Sequence, residues 1–432
     1  MFRSTVFLSC ALAVLSSANA ANQRTPGAGN ERAIEIAQGS KRVKKAHDFL
    51  VARARTIRDE RLRQETLDIL LAERVCLRHR EGLDDAGKSR IVQQLLEQRL
   101  VKADAAARLP LGDGASAQDR LKAGIFPAVQ EEDARCVHSP LPFTAAPGSN
   151  FGGHHSYPGG LAVHASVNER TSEALAATYR AAYGASGETL GLDPDILIAA
   201  PIWHDWAKTV VFQWNADGSE FSELNFGGAG ARPDGTDDPI EQAPGADSRT
   251  AAHHILGVAE AMARGFSPPM VIAQVAAHST PTLDEYKLVN WLRAAAIIAR
   301  VDPVARGYLK PDSRGVLRLP PLRQLGAGVD LNSPPPGEMN LLGEYAIHGL
   351  SDADFLFSIP VVSDAERILA RLAPDFGFAE PGKDEDPTRY NTRYRNVVLA
   401  QLSAERILLR YAQGGLPVVK AEVEELRRGH LL

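Results

Sequence analysis

The stretch Asp193-Pro194-Asp195-Ile196-Leu197-Ile198-Ala199-Ala200-Pro201-Ile202-Trp203-His204-Asp205-Trp206-Ala207-Lys208 decides the fold. Asp193 and Pro194 supply an N-cap and a proline for the first helical position. The helix that follows is apolar nearly all round, as a helix buried in a larger body must be. A polar cluster in such a helix is costly unless it is paired or binds a metal. His204, Asp205 and Lys208 form one, and the i, i+3 and i, i+4 spacings put all three on one side. A His-Asp dipeptide alone would read as a hydrogen-bonded core pair. What surrounds it shifts that reading.

Working outward, further histidines recur on neighbouring predicted helices. Gly153-His154-His155-Ser156-Tyr157-Pro158-Gly159-Gly160-Leu161-Ala162-Val163-His164 is a turn that opens a helix, with His164 about one turn in. His253-His254-Ile255-Leu256-Gly257 lies near the start of a helix ended by Gly265, and His278 ends a helix begun at Pro268-Pro269. Ile297-Ile298-Ala299-Arg300-Val301-Asp302-Pro303 places Asp302 at a helix end, because a proline disfavours helix at the residue before it. Histidine is the commonest metal ligand among side chains, and a helical bundle can close such residues around an ion.

The combined pattern, His then His-Asp, then further histidines, then a terminal Asp, resembles the HD-domain superfamily of metal-dependent phosphohydrolases. It is most similar to the group whose first histidine lies in a His-His-x-Tyr-x-Gly-Gly-Leu-x-x-His segment. The likeness spans about 150 of 432 residues. It implies an all-α, HD-type helical bundle, to which the chain's own patterning adds helical N- and C-terminal extensions and a small β-hairpin insertion. It implies that His164, His204, Asp205 and Asp302 ligate one metal, and that His254 and His278 ligate a second with Asp205 bridging. Lys208 takes the frequent His-Asp-x-x-Lys position and would contact phosphate, so Asp205 and Lys208 are the expected catalytic residues. The last family motif often begins Ala-Asp, where this chain has Ala299-Arg300. His254 fits the family's His-Ile segment better than His253, which reads as a bystander. His154 and His155 precede the helix and would contact substrate or support the site from outside the ligand shell.

The chemistry is coherent without the family. Imidazole and carboxylate suit Mn, Fe, Co, Ni or Zn, so the expected cofactor is one or two divalent transition-metal ions. Such ions can activate a water and clamp a phosphoryl group, while Lys208 would stabilise charge on the non-bridging oxygens. The expected activity is hydrolysis of a small-molecule phosphomonoester or phosphodiester. Two other readings remain: a di-iron oxygenase on the same ligands, and a non-catalytic, metal-stabilised helical binding module. Gly227-Gly228-Ala229-Gly230 lacks the Lys-Ser/Thr ending of a phosphate loop. Trp203, Trp206, Trp214 and Trp291 read as core.

Residues 1–20 combine Arg3, an apolar run from Val6 to Leu15 and Ala18-Asn19-Ala20, the features of a secretory signal cleaved after Ala20. That predicts a periplasmic or secreted protein. Cys10 is poorly placed for lipidation, since Phe7-Leu8-Ser9 is a weak lead-in. Cys76 and Cys136 either pair or stay as separate buried thiols. No later run is long enough to span a membrane, and a net charge of −5 disfavours a broad nucleic-acid surface. The expected organisation is a helical region over 21–140, the metal-binding helical domain over 141–310, and a Pro-rich loop with a helical region over 311–432. Val210 to Phe226 reads as a β-hairpin around Asn215-Ala216-Asp217-Gly218, and His47-Asp48 reads as isolated. Oligomeric state is not legible.

Overall fold

A computed structural model describes residues 25–106, 115–129, 136–187, 190–220, 223–226, 251–278, 281–320, 342–383 and 387–432. The predicted signal segment, the loop over 227–247 and most of the Pro-rich stretch lie outside them. The chain is all-α. Five helices lead: α1 (Asn30–Gln38), α2 (Lys41–Ala54), α3 (Glu60–Leu71), α4 (Asp85–Glu97) and α5 (Ala117–Ile125). The central set is α6 (Gly160–Tyr183), α7 (Pro194–Trp203), the single turn α8 (Lys208–Val211), α9 (Ala252–Ala263), α10 (Pro268–Val275) and α11 (Pro281–Ala299). Then come α12 (Leu342–Asp352), α13 (Phe355–Leu372), the short α14 (Thr388–Tyr390), a π-helical turn over Asn391–Arg395, α15 (Asn396–Leu402) and α16 (Ala404–Arg428). Two-residue strands at Lys310–Pro311 and Leu317–Arg318 pair antiparallel.

Local chemistry sets the helix starts. Ser40, Asp59 and Asp84 each accept a backbone N–H from the first turn of α2, α3 and α4, which satisfies donors that have no partner inside the helix. Asp193 caps α7 as the sequence implies, and every residue from Asp195 to Trp203 is buried. In place of the hairpin expected over 210–226, the described residues hold an antiparallel bridge between Trp214 and Glu220 across a turn. One continuous apolar core runs from Ala33 to Val423, so the leading and trailing helices share packing with the central set. All four tryptophans are buried in it. Within it α6 packs against α2, α7 and α12, and α9 against α11.

Cys76 and Cys136 form a disulfide. Nearby, the buried Glu260 on α9 accepts the backbone N–H groups of Arg78 and His79, the His79 ring at 2.6 Å and Arg264 Nε at 2.8 Å. Burial favours its neutral form, but the His79 hydrogen bond and charge and the Arg264 charge outweigh it and hold the carboxyl at about 2. His47 donates from Nε2 to the Leu70 carbonyl, tying α2 to α3. That is a structural role.

Candidate metal centre

The segment before α6 is a tight turn. His155 sits at a positive φ of 52°, and a Cβ on Gly160 would lie 1.8 Å from the His155 carbonyl oxygen. Only glycine lets the turn close there, which brings His154 and His155 over His164 on the first turn of α6. The His164 ring centroid lies 4.8 Å from that of His154 and 5.4 Å from that of His155.

Helix α7 ends at Trp203, and His204 and Asp205 occupy the turn between it and α8. His204 donates from Nδ1 to the Pro201 carbonyl at 3.0 Å. In the neutral ring this leaves Nε2 carrying the lone pair. That nitrogen faces Asp352 Oδ1 at 3.1 Å and Asp205 Oδ2 at 3.3 Å. His164 Nε2 meets the same two oxygens at 3.1 and 3.2 Å. Lys208 donates to Asp205 Oδ2 and to the Gly148 carbonyl, each at 2.5 Å. It thus ties the His-Asp turn to the segment bearing His154 and His155.

The other oxygen of Asp205 faces a second group. His253 Nε2 lies 3.3 Å from Asp205 Oδ1, while its Nδ1 donates to the Glu223 carboxylate at 2.8 Å. Glu223 also accepts the His253 backbone N–H, so it holds both ring and helix start. His278 completes this group. In all, four overlapping sets each keep their donor atoms within 4.8 Å of one another: His154-His155-His164, His164-His204-Asp205, His204-His278-Asp352 and Asp205-His253-His278.

Two further observations fit a cation. Asp205 Oδ1, His253 Nε2, His164 Nδ1, His278 Nδ1 and His348 Nε2 are buried polar atoms with no hydrogen-bond partner, which native proteins rarely leave unexplained. The electrostatics also favour positive charge. Burial disfavours an imidazolium at His204, yet Asp205 and Asp352 hold its pKa at about 10. Burial is likewise outweighed at His164 by Asp205 and Asp352, and at His253 by Glu223 and Asp205. Both aspartates stay well below the usual carboxylate range despite burial. Burial keeps His154 and His155 neutral-leaning, with Glu405 and Asp354 opposing it at His155. These residues could hold a metal ion.

The structure brings together His154, His155, His164, His204, Asp205, Lys208 and His278, as expected from the sequence. It does not bring Asp302. Arg300 turns left-handed with a φ of 58°, so the chain leaves α11 abruptly. Asp302 is exposed and caps the next turn, accepting the N–H groups of Val304 and Ala305. The carboxylate facing His164 and His204 is Asp352, at the end of α12, which also accepts from Asn168. The adjacent pair resolves the other way from the expectation too. His253 faces Asp205, whereas His254 stacks on the back of His278 with centroids 4.3 Å apart and meets Trp291 edge-on.

Sequence reasoning also missed His348, one turn before Asp352. Its Nδ1 donates to the Ala273 carbonyl and its ring meets His204 edge-on at 5.0 Å. The spacing His348-x-x-x-Asp352 on an amphipathic helix was the available signal. No protein-family model, curated protein or solved structure matches this chain.

Proposed function

We propose that this chain is a metal-dependent phosphohydrolase of the HD type, cleaving a small phosphomonoester or phosphodiester. One observation carries the reading: the two oxygens of Asp205 face two different histidine groups, so a single buried carboxylate is set to bridge two ions. His164, His204 and Asp352 would hold one, His253 and His278 the other. When bound, divalent ions at such a donor set lower the pKa of a water and polarise a phosphoryl group.

The protein's own residues do the rest. Pro201 and Glu223 hold the Nδ1 protons of His204 and His253, which keeps each Nε2 free to ligate. Lys208 spends two of its three donors on Asp205 and Gly148, and the third is available to a phosphoryl oxygen. His154 and His155, kept neutral by burial, sit beside His164, where they would orient the ester. The leader-like segment together with the Cys76–Cys136 disulfide supports export to an oxidising compartment. Among the described residues no helix is long and apolar enough to cross a membrane.

The test is elemental analysis of purified protein alongside a panel of phosphomonoesters and phosphodiesters with Mn²⁺, Fe²⁺, Co²⁺ and Ni²⁺. Metal-dependent phosphate release that Asp205→Asn abolishes is the expected result. Stoichiometric mixed-valence iron with oxygen consumption and no phosphoesterase activity would sink the proposal in favour of oxygenase chemistry.

A further inference from the structure

A cavity of about 770 Å³ lies between the turn at 215–220, helix α13 and residues 378–382 and 387–395. None of the histidines and aspartates of the metal centre lines it. Its apolar wall includes Phe151, Phe378, Ala370, Pro387 and Tyr390.

Most charged groups on its wall are already engaged. Arg395 bonds Glu366, Asn396 and both oxygens of Ser156, and stacks over Phe151 at 4.0 Å. Arg367 pairs with Asp364 and Glu380 with Lys383. Asp217 accepts the Ser219 N–H and hydroxyl. Arg389 lies over the Phe378 ring at 5.1 Å. Glu220 is different. It is 6% exposed, and among the described residues neither carboxylate oxygen has a hydrogen-bond partner. Burying a carboxylate without partners is expensive. Burial accordingly pushes its pKa up to about 8, with Arg395 opposing.

The backbone holds Glu220 in this position from two sides. It bridges Trp214, and the turn before it packs hard on the opposite wall, since a Cβ on Gly218 would lie 2.8 Å from Asn391 Cβ. That wall is the π-helical turn Asn391–Arg395, a distortion found often at functional sites.

We propose that this cavity binds a small organic cation, an ammonium or amidinium group on an apolar or aromatic body, with Glu220 as its counter-ion. Such a group supplies the donors that both Glu220 oxygens lack, and gains further from the Tyr390 ring on the same wall. The apolar wall takes the body of the ligand. A bare metal ion fits less well, because Asp217 and Glu366 are committed to other partners and a hard cation needs six or more oxygens.

Arg395 on this wall donates to Ser156, next to His155.

Isothermal titration of the full chain with phenethylamine and with benzamidine tests the proposal, with neutral 2-phenylethanol as the comparison. Saturable binding of at least one cation, at least tenfold tighter than the alcohol, is expected. Glu220→Gln should weaken it at least tenfold. Ala370→Phe, which fills the cavity from α13, should do the same and decides the matter where Glu220→Gln does not fold. No saturable binding of either cation, equal binding of the alcohol, or binding unchanged in the variants overturns the proposal.

Discussion

Replacing Asp352 by Asn separates the carboxylate in the structure from the one the sequence favoured. The change is nearly isosteric, keeps an oxygen near His164 and His204, and removes one negative charge from a buried donor set. Losing a residue that merely orients a ligand costs 10–100-fold in metal affinity, so a direct ligand should cost at least about 100-fold. Metal at about 100 times its dissociation constant stabilises the fold by about 2.7 kcal/mol. After a 100-fold loss the same concentration gives about 0.4 kcal/mol, so about 2.3 kcal/mol of metal-dependent stability disappears. With an unfolding entropy near 2.1 cal/mol/K per residue, a chain of this size shows that as a fall of about 3 °C in the metal-induced rise of Tm. The assay is differential scanning calorimetry with and without Mn²⁺. Each variant is compared with its own metal-free form, so any change in the metal-free protein cancels. Asp302→Asn, an exposed turn cap, should retain the full rise. A lost metal response in Asp302→Asn with a normal one in Asp352→Asn would refute the assignment.

Three further outcomes follow from the geometry. His253→Ala should lower metal stoichiometry or weaken the second ion at least tenfold, and Glu223→Gln should weaken it 10–100-fold, whereas His254→Leu should leave it intact; equilibrium dialysis with elemental analysis distinguishes them, and metal loss in His254→Leu contradicts the placement. Cys136→Ser removes a bridge across a sequence separation of 60, which on the loop-entropy account costs about 4 kcal/mol; urea unfolding should show it, and a difference under about 1 kcal/mol speaks against a stabilising bridge. Glu260 ionises at about 2 in the fold against an ordinary 4.5, so its contribution, about 3 kcal/mol at 1.36 per unit, is complete above pH 4.5 and fades as pH falls toward 2. Thermal unfolding of wild type and Glu260→Gln should therefore differ most at neutral pH and converge in acid; a constant gap would be the wrong result.

The helical class and the heart of the donor set were legible because they are local. The apolar run of α7 demanded burial, and the polar cluster His204, Asp205 and Lys208 just after it, set beside the other histidines, pointed to a metal. The glycines before α6 announced a turn, and in the structure that turn brings His154 and His155 beside His164. The disulfide is open at the level of sequence, since two cysteines state no geometry until residues 75–77 and 137–139 are brought side by side.

What was not legible depends on tertiary packing. Neighbouring residues on a helix point about 100° apart, so His253 and His254 cannot both face Asp205. Which one does is settled by Glu223 on one side and by His278 and Trp291 on the other. Asp302 ends the helix next in sequence, but order along the chain is not order in space. Yet a carboxylate that ends a helix beside a proline is also well suited to capping the next turn, and that local use wins here. Asp352 had the stronger physical claim: a His and an Asp one turn apart put two polar groups on the same face of α12, and that face is buried against α6 and α10. Such a pair needs polar partners across the interface. The donors that lacked one, His164 and His204, were already known from their own motifs. Matching unsatisfied groups across the chain, rather than reading forward for the next motif, is the inference that would have joined them.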